Sequence, residues 1–204
     1  MHPDIVKSIL ESSLYLLVLI NPMSKIFILS VLSKECQPNE LRRLIHKSSL
    51  VALLILLALG VFGDFVLSVV FHVKLYSLKV AGGIVVFSVG FNALTKGVFF
   101  ETDQKNGYED MSIVPLASPM IAGPATIAAA ISLNTEFSTL VASISILLAI
   151  TVNHLIMLWS QSVGGWMRRY NLMGALIRIT GLIVASISVQ MILSGIGDWW
   201  KSLH

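Results

Sequence analysis

Apolar residues gather in six long runs separated by short polar connections, at about Ile5–Leu32, Ile45–Phe71, Leu75–Phe100, Met111–Leu133, Phe137–Trp159 and Leu172–Ile196. Each exceeds the roughly 18 to 20 residues that carry a helix across the hydrocarbon core of a bilayer. The pattern predicts an all-α polytopic membrane protein of six transmembrane helices. The first run lacks a basic start, is too long and has no small-residue cleavage motif behind it, so it reads as a span and not as a cleavable signal.

Two runs carry internal breaks. Asn21-Pro22-Met23 interrupts the first, and Ser118-Pro119-Met120, reinforced by Gly123-Pro124, interrupts the fourth. Proline inside a helix removes a backbone donor and clashes with the preceding turn. In lipid the freed polar groups must find protein, water or a ligand. Helices 1 and 4 are therefore expected to be discontinuous at these points.

The most polar stretch, residues 101–110, divides the chain into three runs plus three. The halves resemble each other. Asn21-Pro22-Met23 matches Ser118-Pro119-Met120, 97 residues on, and the run from Lys79 through Gly82 matches that from Arg178 through Gly181, 99 residues on. An odd number of spans per half makes the copies antiparallel, which predicts a 3+3 inverted repeat. The expected organisation is one membrane domain: a first repeat over 1–103, a polar linker over 104–110 and a second, inverted repeat over 111–204.

Composition agrees with the pattern: 55% of residues are hydrophobic, 12% are charged, and the mean hydropathy is +0.84. The net charge of +3 is spread over helix ends and suggests no nucleic-acid surface. Lys25, Lys34, Arg42, Arg43, Lys47, Lys96, Lys105, Arg168, Arg169 and Arg178 fall on one side, against Lys7, Lys74, Lys79 and Lys201 on the other. Lys and Arg concentrate on the cytoplasmic side of membrane proteins. The imbalance predicts a multi-pass protein of the cell (inner) membrane with both termini outside the cytoplasm. Cys36 is the only cysteine, which excludes an intrachain disulfide and a cysteine-based metal cluster.

The runs Asn-Pro-Met-Ser-Lys at 21–25, Lys-Val-Ala-Gly-Gly at 79–83 and Val-Pro-Leu-Ala-Ser-Pro-Met-Ile-Ala-Gly-Pro-Ala at 114–125 make the chain resemble the MarC/SnatA family over essentially its whole length. The resemblance implies a six-span integral membrane protein. For some members it implies transport of small neutral amino acids such as glycine, alanine and serine. Ser118, where an aliphatic residue is expected, and Ala125, where glycine is common, are the departures.

Broken helices suit such a cargo. A half-helix begins with unpaired N–H groups and the positive end of its dipole, which bind a carboxylate. The half before it ends in carbonyls that suit an ammonium. Two breaks meeting near mid-depth would match a zwitterion without buried ion pairs. The candidate substrate-binding residues are Asn21, Pro22, Met23, Ser24, Gly82, Gly83, Ser118, Pro119, Met120, Gly123, Pro124 and Thr126. Asn21 can cap or contact a ligand, and the prolines keep the segments open. Ser118 and Thr126 have an alternative use in bonding their own helix. Met23 and Met120 are more simply core filling, and Gly82 and Gly83 helix packing.

Asp64, the one acidic residue well inside a run, is a candidate ion-coupling group. The competing reading places it within about two turns of the outer interface, or pairs it with Lys74 or Lys79. Asn153 and His154, mid-run in the fifth segment, are candidates for a proton relay or for an interhelical hydrogen bond. Lys25 can snorkel to the cytoplasm or hold a substrate carboxylate. Asn92 and Gln190 can line a cavity or join helices.

Without a Walker A motif, ATP-driven transport has no support, and the expected activity is secondary transport by alternating access with H+ or Na+ as coupling ion. The alternative is an export facilitator or channel for small apolar compounds. An intramembrane enzyme fits less well, because the runs hold no acid/base set or metal-ligand cluster. The expectation is no enzyme, no cofactor and no metal, with a zwitterionic amino acid and membrane lipids as partners. The oligomeric state is not legible.

Overall fold

The computed structural model describes residues 5–33, 37–97, 121–160, 162–163 and 173–203. They form helices: α1 (Ile5–Ile20), α2 (Pro22–Leu32), α3 (Pro38–Phe65, continued by a π-helical turn to Val70), α4 (Leu75–Lys96), α5 (Pro124–Glu136), α6 (Thr139–Leu158) and α7 (Met173–Lys201). Five stretches are long and apolar enough to cross a membrane: Ile5–Ser30, Pro38–Val70, Leu75–Lys96, Thr139–Leu158 and Gly174–Lys201. Of the expected fourth run, the described part is its second portion, α5 with the turn before it. Ser118, Pro119 and Met120 lie outside the described residues.

Several ends move from their expected places, for local reasons. The second helix starts at Pro38, earlier than the apolar pattern at Ile45 suggests. Proline suits the first helical position, and the Glu40 side chain accepts from the Gln37 N–H at 3.2 Å. The third ends at Lys96, where Gly97 turns left-handed at φ 72° and its N–H donates to the Ala93 carbonyl. The sixth runs past Ile196 through Trp199 and Trp200, aromatic residues of the kind that favour the membrane–water boundary.

The cross-section is apolar outside and finely polar inside. Leu50, Leu54, Phe62 and Phe65 on α3, Leu140, Leu147 and Leu155 on α6, and Ile179, Leu182 and Leu193 on α7 are exposed. The buried face of α1 is Ser8, Ser12, Ser13, Leu16 and Ile20, one helical stripe. It lies on α6, where the Ser145 hydroxyl donates to the Ile9 carbonyl at 3.3 Å. In water such an outer surface would be a liability. In lipid it is the ordinary solvent-facing surface, and close packing of small residues replaces the hydrophobic effect between helices.

α5 sits at the centre. Its residues from Ala125 to Leu133 are buried, Ile127 partly, and α1, α3, α4 and α6 all pack on it. The broadest contact is α4 against α7, which run antiparallel with almost nothing between their backbones. A Cβ added to Gly90 would lie 2.7 Å from the Ala185 nitrogen, and one added to Gly181 would lie 2.9 Å from the Gly90 carbonyl oxygen. Gly83 meets Ser188 and Ile192 in the same way, and Gly195 meets Tyr76.

Candidate functional site

Between α1 and α2 the chain is turned by one residue. Asn21 adopts φ 55°, a left-handed conformation that asparagine tolerates better than most residues. Its N–H still donates to the Leu17 and Val18 carbonyls, which closes α1, and Pro22 then opens α2 at the position where a missing N–H costs nothing. Ser24 ties the first turn of the new helix back to the turn residue. Its N–H and hydroxyl both reach the Asn21 carbonyl, the hydroxyl at 2.7 Å.

α5 starts by a similar device. Gly123 is extended, Pro124 takes the first helical position, and the Ile127 N–H donates to the Gly123 carbonyl. The Thr126 hydroxyl donates to the Ile121 carbonyl at 3.0 Å. Pro22 and Pro124 thus hold equivalent positions in their helices, as do Ser24 and Thr126. Both hydroxyls are engaged with backbone, as local helix-capping chemistry predicts. Gly123 has φ −82°, which any residue adopts, so its conformation does not require glycine.

The two helix starts border shared buried ground. Ile20 belongs to the same cluster as Ile121 and Ala122, and Leu19 packs against the cluster of Ala125, Ala128 and Met191. Gly82 on α4 closes in from the side, where an added Cβ would lie 3.3 Å from the Pro124 carbonyl oxygen and 3.2 Å from the Met191 Cε. Gly83 faces α7 instead, within the helix contact. Met23 is half-buried.

Lys25 does not snorkel out of the bundle. It is 2% exposed, and its ammonium donates to the Ile20 carbonyl at the break. A buried charge needs such compensation, and the C-terminal end of α1 is where a cation is favoured. The protein therefore brings its own ammonium to α1's terminal carbonyls. The expectation that those carbonyls await a ligand's ammonium does not hold for Ile20. Four residues before Lys25, the buried Asn21 Oδ1 finds no hydrogen-bond partner among the described residues. A buried unsatisfied polar atom in a native site calls for an explanation.

The other candidates stand apart. Asp64 is exposed near the end of α3, between the exposed Phe62 and Phe65. Lys79 pairs with Glu136 at 3.5 Å and Asp198 at 3.0 Å, so the expected Asp64–Lys79 pair is not the one formed. His154 joins α6 to α3 through Ser49 Oγ at 2.9 Å, with the His46 ring 4.8 Å away, which is the interhelical-bond reading. Asn153 is fully buried, its amide donates to the Met157 sulfur at 3.2 Å, and its Oδ1 is unpaired among the described residues. Gln190 lines a cavity and Asn92 is half-buried. No group of three or more metal-ligating residues forms among the described residues.

The cavity lies toward the end of the bundle where α5 and α7 finish and α4 begins. Its volume is about 270 Å³, and Tyr15, Lys79, Ser132, Glu136, Gln190 and Met191 are among its walls. Sequence reasoning did not single out Glu136 or Asp198, because each lies at a run's margin, where a carboxylate looks merely solvated. The signal was the helical spacing of Ser132 and Glu136, one turn apart, whose side chains are hydrogen-bonded.

Comparison with known proteins agrees with this architecture. The profile described as MarC family integral membrane protein matches residues 6–200. A UPF0056 membrane protein of Pyrococcus horikoshii is 34% identical over 94% of each chain. One from Methanocaldococcus jannaschii is 30% identical over 87% of this chain and 90% of its own, and YvbG of Bacillus subtilis is 29% identical over 86% and 88%. No solved structure matches. The chain belongs to the MarC family of integral membrane proteins.

Proposed function

We propose that this protein is a secondary transporter of small neutral amino acids of the glycine, alanine and serine class, working by alternating access in the cell (inner) membrane. The observation that carries the reading is the first break. A buried ammonium, an amide oxygen without a hydrogen-bond partner among the described residues and the N-terminal turn of α2 fall within five residues, Asn21 to Lys25. The Lys25 ammonium and the start of α2 attract a carboxylate, and Asn21 Oδ1 accepts from an ammonium. The start of α5 at Gly123-Pro124 borders the same buried clusters, and Gly82 leaves room beside it. Substrate volume is then limited by Met23 and by the buried Ile121 and Ala122.

The 3+3 inverted repeat belongs to this proposal. Its support is the packing: α2 packs on α6 and, as its counterpart, α5 packs on α3, while α4 and α7, the third helix of each half, run antiparallel against each other. Rocking one half against the other would open the break to either side. The coupling ion is H+ or Na+, both termini lie outside the cytoplasm, and no catalysis, cofactor or nucleic acid is involved.

The test is counterflow. Purified protein in liposomes loaded with alanine is expected to take up labelled glycine saturably. Flux that never saturates would make the protein a channel or export facilitator, and chemical turnover without flux would make it an enzyme. Imposing a proton or sodium gradient in turn identifies the coupling ion.

A further inference from the structure

The cavity at the α5–α7 end is not part of the break, yet its walls hold the two charges that a zwitterion needs. Lys79 comes from α4 and has a side chain only 12% exposed. Glu136 closes α5 and sits 3.5 Å from the Lys79 ammonium, longer than a well-made charge-assisted hydrogen bond. The Ser132 hydroxyl fixes the Glu136 carboxylate. Asp198, at 3.0 Å, supplies Lys79 with a second and closer partner. Glu136 can therefore turn to another cation without leaving Lys79 uncompensated.

Met191 lines this cavity, is buried, and reaches with its Cε to 3.2 Å from the place a Gly82 Cβ would occupy. Gly82 in turn abuts Pro124 at the start of α5. An unbranched, adaptable side chain thus links the cavity wall to the packing around Gly82 and the start of α5. A volume of about 270 Å³ holds a small solute and excludes a large one. Tyr15 and Gln190 add a hydroxyl and an amide to the walls.

We propose that this cavity is a second zwitterion-binding chamber, in which Lys79 takes the carboxylate and Glu136 the ammonium of a small amino acid, with Met191 as a movable floor above the break. The choice of an amino acid as ligand rests on the transport reading given above. By the distribution of Lys and Arg, the chamber faces the non-cytoplasmic side.

Its test reads binding directly. In a Cys36→Ser background, Ser194→Cys places a reporter in the chamber wall, and a membrane-impermeant maleimide measures its access in the intact protein in liposomes. Glycine at about ten times its Kd is expected to slow labelling about tenfold, as mass action requires of a competitor for one site. Adding Glu136→Gln is expected to abolish that protection, while acetate, which lacks an ammonium, gives none in either protein. A second reporter, Gln190→Cys, repeats the measurement should the first variant fold poorly. Labelling indifferent to glycine at both reporters, with saturable counterflow intact in the native protein, overturns the chamber and leaves the transport reading standing. Protection without counterflow upholds the chamber and overturns transport. Protection that survives Glu136→Gln overturns the assigned role of Glu136.

Discussion

The ammonium of Lys25 donates to the carbonyl of Ile20, five residues back across the turn at Asn21. This bond ties the start of α2 to the end of α1 and keeps the Lys25 side-chain nitrogen in the interior, four residues from an amide oxygen, Asn21 Oδ1, that has no hydrogen-bond partner among the described residues. If its only task were to satisfy the carbonyl, a neutral donor would serve, and a buried charge is a costly way to do it.

Lys25→Met separates the two roles. Loss of the bond leaves the Ile20 carbonyl buried and unsatisfied, a cost of about 1–3 kcal/mol, which should appear as a lower melting temperature in detergent. If the ammonium also holds the substrate carboxylate, glycine counterflow falls to background. Lowered stability with normal counterflow would show Lys25 to be a structural cap.

Asn21 offers a cleaner separation, because its backbone and its side chain do different work. At φ 55° an alanine would cost about 1–2 kcal/mol, whereas glycine adopts this conformation freely. Asn21→Gly is therefore expected to keep stability close to that of the native protein and yet weaken glycine binding, since Oδ1 is lost. Asn21→Ala should lose both. Equal counterflow in native protein and Asn21→Gly would remove Oδ1 from the site.

The α4–α7 contact predicts position-dependent effects of one substitution. At Gly90 and Gly181 an added Cβ meets backbone atoms within 2.9 Å, so the helices must separate. Gly90→Ala or Gly181→Ala should cost about 1–3 kcal/mol, the usual penalty of overpacking. Gly174 and Gly197 have nothing within 4 Å among the described residues, and alanine there should be neutral or raise stability by up to about 1 kcal/mol through helix propensity. Thermal unfolding of the four variants checks the contrast. Similar shifts at all four positions would contradict the close approach.

What the sequence made legible follows from how local each signal is. Long apolar runs report the bilayer directly, so five span-length helices stand close to their expected places. Asn21-Pro22 announced the turn between α1 and α2, because proline acts within one turn of helix. The direction of Lys25 was not legible. Snorkelling and folding back onto the break are equally local options, and the choice depends on the packing of α2 against α6 and α7. Glu136 and Asp198 escaped notice for the same reason. Only tertiary packing brings the ends of α5 and α7 to Lys79, and the one local mark, Ser132 a turn before Glu136, is too common on helices to single it out. Asp64 shows the converse: its position inside an apolar run drew attention, yet its helix turns it outward.

Asp64 and His154 therefore yield the last prediction. Asp64 lies on the exposed side of α3, at most two turns from the end of its helix. Asp64→Asn should leave glycine counterflow and its response to an imposed proton or sodium gradient unchanged. His154 bonds Ser49 on the neighbouring helix. Interhelical hydrogen bonds of this kind average about 0.6 kcal/mol in membranes, so His154→Ala should lower stability slightly and likewise leave gradient-driven uptake intact. A variant that still exchanged glycine but no longer accumulated it under a gradient would identify its residue as the coupling group, and the breaks would then hold the substrate without its ion.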